Sequence, residues 1–316
     1  MPSRPCPQTP PVGTERSACR APVASTPYSR ELEAISVRQD GGKRLLHHIA
    51  RQTPVVIHDL ASDWPALRNW SPERLSDRFG ARLVRVCDAT FGDPGPNYMK
   101  GVTTMSFAQF LRLTLREGRD LRLFLYNISR HTPELLNEVP LPDLGPRWSR
   151  RFVHAFFGCR GSTTPLHYDI DMGCVLHTAI TGRRRVRLFD PEQSRALGRH
   201  PFTVRSYVDL DQPDYGTFPA LAQVRGYEFL LHPGQTLFMP SGYWHEVHYA
   251  DAGMGLSFRA MGPRLSQRLE GAFNLVALSP IDRLANRIAP DRWFDWKRRQ
   301  ATARAAAVLR PAANVP

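Results

Sequence analysis

The apolar positions between about residues 151 and 262 fall in short runs separated by glycine, proline and aspartate. The runs at residues 175–180, 185–189 and 236–240 are typical of strands, and this stretch shows little helical periodicity. Many short strands joined by turns are typical of a sandwich or jelly roll. We therefore predict a mainly β protein with flanking helices, whose core lies in residues 151–262.

Residues 29–150 show a different pattern, in which helical and strand-like segments alternate. Apolar spacing predicts helices at residues 31–35, 43–50 and 106–115, and one that begins at Pro72 after an N-cap at Ser71. The pattern predicts a strand at residues 54–57, and alternation of polar and apolar residues predicts strands at residues 82–86 and 120–126. We predict that this half is an α/β scaffold that flanks the core.

The C-terminal region, residues 263–316, is predicted to be helical. Its apolar residues have helical spacing at Leu265, Leu269, Phe273 and Val276, and a second helix is predicted over residues 291–309. From Gly262 onward, ten Arg or Lys stand against four Asp or Glu, so this region suits an acidic partner.

Composition and charge exclude several classes of protein. Residues 1–28 lack the apolar stretch of a signal peptide and predict a disordered leader. No run approaches the roughly 18 apolar residues of a membrane span. Five cysteines without a CxxC pair predict reduced thiols and a cytoplasmic location. The net charge of +13 comes mainly from arginine, and without a nucleic-acid motif it does not predict nucleic-acid binding.

The first two strand-like runs of the core flank Gly182-Arg183, which predicts a β-hairpin with these residues as its loop. Opposed residues of a hairpin share a face. The more apolar face then places His177 and Arg184 inside, and Arg183 and Arg185 outside. A buried guanidinium needs a carboxylate partner, and the sequence nearby offers none. We predict that a ligand supplies it; the alternative is that Arg184 is solvated at the mouth of the core.

Three residues have the pattern of a metal site. His167 and Asp169 flank Tyr168, and in an extended strand residues two apart project to the same side. The third ligand must come from a strand that is adjacent in space, and His245, after the strand at residues 236–240, qualifies. Two imidazoles and one carboxylate on one face of an octahedral metal are typical of non-haem Fe(II) oxygenases. The alternative is that three unrelated residues happen to fit.

Several segments in order along the chain match a known family. They are residues 54–57, 63–66, 164–169 (Thr-Pro-Leu-His-Tyr-Asp), 182–189, 208–209, 213–215, 233–240 and 243–245. Together they resemble the JmjC or cupin-like 2-oxoglutarate oxygenases, particularly the group that contains the asparaginyl hydroxylase of hypoxia-inducible factor. The resemblance implies a double-stranded β-helix in which His167, Asp169 and His245 hold Fe(II).

The resemblance also implies 2-oxoglutarate as cosubstrate and O2 as oxidant. Arg184 would bind the far carboxylate of 2-oxoglutarate, although the group usually has lysine there, and arginine needs a differently shaped pocket. Thr164 matches a residue that contacts the same carboxylate, and Ser257 stands where the group often has asparagine near the ligand. His177 is predicted either to hydrogen-bond the cosubstrate or substrate, or to be an ordinary core histidine.

The implied activity is hydroxylation of a side chain in a peptide or protein, with release of succinate and CO2. A small-molecule substrate stays open, and hydroxylation is favoured over demethylation. C-terminal helices form a homodimer in the resembled hydroxylase, so a homodimer is expected here too. Two other interpretations compete with an oxygenase. One is a non-catalytic cupin that senses a metal or ligand, and the other is a metal-dependent isomerase or dioxygenase with three histidine ligands.

Overall fold

The computed structural model describes Tyr28, residues 30–93 and residues 101–309. The predicted leader lies outside the described residues except for Tyr28. That residue is buried, and its ring lies edge-on to the ring of Phe189 with centroids 5.4 Å apart. None of the helices in the described residues is long and apolar enough to cross a bilayer.

The strands confirm a mainly β fold. In chain order they are β1 (Ala34–Ile35), β2 (Val55–Ile57), β3 (Leu83–Val86), β4 (Thr103–Ser106), β5 (Arg122–Asn127), β6 (His154–Gly158), β7 (Thr163–His167), β8 (Cys174–Thr181), β9 (Arg184–Phe189), β10 (Gly226–Leu231), β11 (Thr236–Met239), β12 (Trp244–Tyr249) and β13 (Gly253–Ala260).

Two of the sheets face each other across a shared interior. The larger sheet has the strand order β1-β2-β11-β8-β13-β6-β5, and the smaller has β10-β9-β12-β7. Apolar side chains of both sheets form one buried cluster between them, including Val175 and Leu237 from the larger sheet and Val186 and Leu188 from the smaller. β3 and β4 form a separate two-stranded sheet.

Helices pack on the outer side of the larger sheet, and further helices form the C-terminal region of the chain. The α-helices are α1 (Val37–Asp40), α2 (Lys43–Arg51), α3 (Ala66–Asn69), α4 (Pro72–Phe79), α5 (Phe107–Leu111), α6 (Ile128–His131), α7 (Leu265–Phe273), α8 (Ser279–Ile288) and α9 (Pro290–Val308). Shorter 3₁₀ or π turns are Ala89–Gly92, Arg112–Arg116, Pro133–Glu138, Pro191–Ser194, Pro219–Gln223 and Asn274–Leu278.

Local sequence signals account for several of these helices. Ser71 caps α4 by accepting a hydrogen bond from the amide of Arg74, and Pro72 is its first residue. Leu75 and Phe79 are buried against the larger sheet, as the spacing predicts. The predicted helix at residues 43–50 is confirmed as α2. The predicted C-terminal helix is α9, but the separate α8 was not predicted.

The helix predicted at residues 31–35 is wrong. Ala34 and Ile35 form β1, which pairs in parallel with Val56 and Ile57 of β2. The amide of Val56 donates to the carbonyl of Glu33, and the amide of His58 donates to that of Ile35. A segment of five residues gains little from its own helical hydrogen bonds, so pairing with a buried strand decides its conformation.

The predicted hairpin between β8 and β9 is also wrong, although its inward face is right. β8 pairs with β11 and β13 in the larger sheet, whereas β9 pairs with β10 and β12 in the smaller. Gly182, with a φ of +69°, turns the chain from one sheet to the other. His177 and Arg184 still point inside, because each strand alternates, but they face each other across the interior.

The last helix is joined to the core through a buried histidine. His200 is 2% exposed, and its ring lies 4.6 Å from that of Tyr207 and 5.4 Å from that of Phe294 on α9. Burial, together with the positive charge of Lys297, lowers the pKa of His200 to about 4. The folded protein therefore holds this imidazole neutral in mild acid.

We expect the change His200→Phe to make the protein less sensitive to acid. The unfolded chain protonates His200 near pH 6.5, whereas the folded chain does so only near pH 4. The contribution of His200 to stability is thus complete above pH 6.5. It falls by about 1.4 kcal/mol per pH unit as the pH drops below that value. Urea titrations at pH 7.5 and 5.5 measure this.

Between those two pH values, the wild type should lose about 1.4 kcal/mol more free energy of unfolding than His200→Phe. His47→Phe, at an exposed position of α2, is the matched control and should behave as the wild type. Equal losses in the wild type and His200→Phe would contradict the prediction.

Candidate metal centre

Three candidate ligand side chains meet at one place in the interior. His167, at the end of β7, pairs directly with His245 of β12. Asp169 follows two residues after His167. One potential ligand atom from each of the three side chains lies within 4.8 Å of the others. The sequence prediction that His245 is adjacent to His167 and Asp169 in space is confirmed.

Both imidazoles are prepared to act as neutral ligands. Nδ1 of His167 lies 2.7 Å from the carbonyl oxygen of Pro165, and Nδ1 of His245 lies 3.1 Å from that of Tyr243. A proton on each Nδ1 would donate to these carbonyls, and Nε2 then keeps its lone pair. Burial and the neighbouring His245 lower the pKa of His167 to about 3, and burial also lowers the pKa of His245.

Asp169 is held as a carboxylate by an arginine that the sequence analysis missed. Nη2 of Arg259 donates to Oδ1 of Asp169 at 2.7 Å. Burial alone would raise the pKa of Asp169, but the guanidinium of Arg259 lowers it below the ordinary range of a carboxyl group. The set therefore offers one anionic and two neutral ligands.

A buried arginine lies in the same cavity. Arg184 is 1% exposed, and among the described residues its three guanidinium nitrogens have no hydrogen-bond partner. The ring of Tyr249 lies 4.8 Å from its Cζ on one side. On another side is Gly255, where a Cβ atom would lie 2.9 Å from Cζ. Burial lowers the pKa of Arg184, and Tyr249 offsets this only in part.

Thr164, His177 and Ser257 line this cavity together with the three candidate ligands. Ser257 of β13 pairs directly with His177 of β8. The hydroxyl of Ser257 and Nε2 of His177 are buried without a hydrogen-bond partner in the described part of the chain. Burial and the charge of Arg184 lower the pKa of His177 to about 3, so its imidazole is neutral. All the predicted site residues therefore share one cavity.

The opening of the cavity is mostly apolar. Phe124, Leu125 and Phe156 line it on the side of β5 and β6. The pairing of β5 with β6 is interrupted between Leu123 and Tyr126. Within this bulge Leu125 has a φ of +54° and is 40% exposed. A bulge at a sheet edge redirects a side chain, here toward the entrance.

Residues predicted to lie outside the site do so. Tyr168, between His167 and Asp169, is buried against Trp244 with ring centroids 5.0 Å apart. His248 is three residues beyond His245 and faces the opposite side of β12, where Nδ1 lies 3.1 Å from the hydroxyl of Thr163. Arg183 is exposed and pairs with Asp251.

Alternation along two strands could have revealed the residues that the sequence analysis missed. Tyr249 lies four residues after His245 on β12, and Arg259 lies two residues after Ser257 on β13. In each pair both side chains project to the same face. Extending each predicted site residue along its strand in steps of two therefore reaches both.

The residues present fit a divalent iron and a dicarboxylate. Two neutral imidazoles and one carboxylate are the ligand set that non-haem Fe(II) uses while other coordination positions stay open. A buried guanidinium without a partner is costly, and a ligand carboxylate would satisfy it with two parallel hydrogen bonds. The same cavity thus offers a site for a metal and, beside it, a site for an anion.

Comparison with known proteins supports this interpretation. A family model described as a cupin-like domain matches residues 44–277. Lysine-specific demethylase 8 of Xenopus tropicalis is 28% identical over 226 residues, which are 67% of this chain and 49% of that protein. An HSPB1-associated protein 1 homolog of Danio rerio is 29% identical over 225 residues, 63% of this chain and 50% of that protein.

A third relative, JmjC domain-containing protein D of Dictyostelium discoideum, is 27% identical over 230 residues, 63% of this chain and 50% of that protein. The chain therefore spans about half the length of the curated relatives it matches. The resemblance to the JmjC and cupin-like family is confirmed. The narrower likeness to the asparaginyl hydroxylase group stays a prediction.

Proposed function

The chain belongs to the JmjC-type cupin-like domain family, and from this premise we propose that it is an Fe(II)- and 2-oxoglutarate-dependent oxygenase. Its reaction is the hydroxylation of a side chain in a peptide or protein. One observation supports this most directly. The His167, Asp169 and His245 cluster and the unpaired guanidinium of Arg184 open into the same cavity.

The two ends of the cavity bind different groups. His167, Asp169 and His245 hold the iron, and Arg184 binds the far carboxylate of 2-oxoglutarate, with Thr164 as a further donor. With both groups bound, the centre supplies oxidative decarboxylation of the cosubstrate by O2, coupled to insertion of one oxygen atom into a C–H bond, with succinate and CO2 released. Ser257 and His177 line the same cavity and offer buried polar atoms that have no other partner in the described part of the chain.

The remaining lining residues control the environment of the reaction. Phe124 and Phe156 exclude water from the side of the entrance, which protects a reactive centre from unproductive chemistry. Nδ1 of each ligand histidine is engaged with a backbone carbonyl, so the rings stay in orientation while substrate exchanges.

The names of two relatives favour a protein substrate over a small molecule. One is called a lysine-specific demethylase, and the other is called an HSPB1-associated protein. Hydroxylation and demethylation begin with oxidation of a C–H bond and differ in the atom that is attacked. Mass spectrometry of proteins trapped by the inactive variant His167→Ala and then treated with active enzyme distinguishes them. Hydroxylation adds one oxygen atom, whereas demethylation removes a methyl group and releases formaldehyde.

The test of the proposal is anaerobic spectroscopy of the purified protein. Adding Fe(II) and 2-oxoglutarate without O2 should produce the weak visible charge-transfer band of the iron chelate. Adding O2 should then form succinate even without substrate. No band and no succinate would favour the non-catalytic cupin. A band that appears in the wild type and is absent from His167→Ala would tie the chelate to this site.

A cytoplasmic location is part of the proposal. In the part of the chain that the structure describes, Cys87, Cys159 and Cys174 are buried free thiols. Reduced thiols suit a compartment kept reducing by glutathione and thioredoxin.

A homodimer through the C-terminal helices is also part of the proposal. Apolar side chains of α7, α8 and the turn between them are exposed, among them Leu269, Phe273, Val276, Leu284 and Ile288. The helical spacing that predicted an apolar face was right, but this face does not pack on the core. A large exposed apolar patch on a folded domain marks an interaction surface.

We expect Val276→Asp to convert the dimer to a monomer. Val276 is 77% exposed, and a carboxylate buried between two copies would lack a partner. Light scattering coupled to size exclusion gives the mass. Leu83→Asp, at a position 74% exposed on β3, is the matched control and should remain a dimer. A wild type that is monomeric at all concentrations would reject the proposal.

A further inference from the structure

Arg259 joins the candidate metal centre to a second carboxylate. Its Nη2 donates to Oδ1 of Asp169 at 2.7 Å, and its Nη1 donates to Oδ1 of Asp171 at 3.0 Å. The side chain is 15% exposed and lines the cavity. Arg259 therefore bridges two carboxylates, one of which belongs to the candidate ligand set.

The backbone of the loop that carries Asp169 is fixed by other contacts. The hydroxyl of Ser241 donates to the carbonyl of Met172 at 2.6 Å, and Nδ2 of Asn274 donates to that of Ile170 at 3.2 Å. α7 also packs closely at Gly271, where a Cβ atom would lie 2.3 Å from the carbonyl oxygen of Asp171. What Arg259 adds is therefore control of the Asp169 side chain, rather than of the loop.

We propose that Arg259 is a positioning residue that occupies one oxygen of Asp169 and leaves only the other for the metal. This inference rests on the proposed function. An octahedral iron with three protein ligand atoms keeps three positions, enough for a cosubstrate that binds through two oxygens and for O2. A carboxylate that ligates through both oxygens would take one of these positions.

The charges around Arg259 allow it to hold Asp169 without preventing metal binding. A lone guanidinium beside Asp169 would oppose binding of a cation. Asp171, on the far side of the guanidinium, supplies a compensating negative charge and anchors its other half. Arg259 can therefore hold Asp169 by a charged hydrogen bond, whose strength exceeds that of a neutral one, while the local charge stays low.

The test compares wild type, Arg259→Met and Arg259→Lys after loading with Mn(II), which replaces Fe(II) without reacting with O2. Crystal structures of the loaded proteins report how Asp169 binds. In the wild type and Arg259→Lys we expect one oxygen of Asp169 on the metal, because lysine can still donate to the other. In Arg259→Met we expect both oxygens on the metal.

Calorimetric titration of the same Mn(II)-loaded proteins with 2-oxoglutarate gives a second readout. The dissociation constant should rise about tenfold or more in Arg259→Met, the size of effect typical for residues that orient metal ligands. Arg259→Lys should restore most of the affinity. Arg183→Met, which removes an exposed arginine from its pair with Asp251, is the matched control and should leave the constant unchanged.

The outcomes separate this inference from the proposed function. If the wild type does not bind Mn(II) at His167, Asp169 and His245, the proposed function fails. If the wild type binds Mn(II) but Arg259→Met shows the same single-oxygen ligation and the same affinity for 2-oxoglutarate, only the inference fails. If Arg259→Met does not fold, Asp171→Asn decides. Asp171→Asn weakens the anchoring of the guanidinium without removing it. A rise in the dissociation constant for 2-oxoglutarate, smaller than that expected for Arg259→Met, supports the inference, and no rise overturns it.

Discussion

Replacing Asp169 by alanine is expected to abolish turnover. Asp169 is the anionic member of the candidate ligand set, and its removal leaves two neutral imidazoles to hold a divalent cation. Changing residues that merely orient metal ligands costs about 10- to 100-fold in affinity or activity, so loss of a ligand itself should cost more than about 100-fold. Succinate formation and Mn(II) binding, followed by electron paramagnetic resonance, measure the two effects separately.

The same variant distinguishes the oxygenase from a centre with three histidine ligands. A site built from His167, His245 and a further histidine would still bind Mn(II) in Asp169→Ala. Asp169→Asn keeps the size of the side chain and removes its charge, so it separates ligation from packing. Asp251→Ala, which removes an exposed carboxylate paired with Arg183, is the matched control and should keep full activity. Unchanged Mn(II) binding in both Asp169 variants would contradict our assignment.

Local sequence patterns were enough to predict much of the fold. The cap at Ser71 with Pro72 predicted where α4 begins, because both act through neighbouring backbone atoms. Alternation in β8 and β9 predicted which side chains face inside, because that property belongs to each strand alone. Pairing partners are different. The strand pattern of residues 175–189 is compatible with a hairpin and equally with a crossing between two sheets. The sequence alone therefore could not distinguish the two connections.

The candidate site shows the same difference between features that are local in sequence and contacts that are distant in sequence. His167 is the last residue of β7 and Asp169 follows two residues later in the loop, so their short separation along the chain keeps them together. His245 could be added because its position shortly after the predicted strand at residues 236–240 is a local feature of the sequence. The pair of Arg259 with Asp169 joins residues 90 positions apart, so alternation along β13 could place Arg259 inside but could not place it against Asp169. The sequence therefore indicated the ligands but not the residue that orients one of them.

The arginine at the other end of the cavity leads to the second large effect. Arg184→Ala is expected to raise the dissociation constant for 2-oxoglutarate on the order of a hundredfold or more. Breaking a buried charge pair by removing one partner costs about 3 kcal/mol or more, and each 1.4 kcal/mol or so is a tenfold change in affinity. Mn(II) binding should remain, because in the described part of the chain no hydrogen bond joins the guanidinium of Arg184 to His167, Asp169 or His245.

The shape of the pocket makes this prediction specific to arginine. The guanidinium lies over the ring of Tyr249 and close to the backbone at Gly255, where a planar group can stack on the ring. Lysine, which the resembled group usually has here, is a point charge and would not stack in this way. We therefore expect Arg184→Lys to bind 2-oxoglutarate with an affinity between those of the wild type and Arg184→Ala.

Two matched variants test whether the position of Arg184, rather than the net charge, determines the affinity. Arg183→Ala removes an arginine one residue away that points to the surface, and it should leave the dissociation constant unchanged, since exposed ion pairs contribute little. Gly255→Ala keeps both arginines but places a methyl group 2.9 Å from Cζ of Arg184, which displaces the guanidinium. It should therefore weaken 2-oxoglutarate binding. If Arg184→Ala and Gly255→Ala both bind 2-oxoglutarate as tightly as the wild type, the cosubstrate carboxylate does not bind at Arg184.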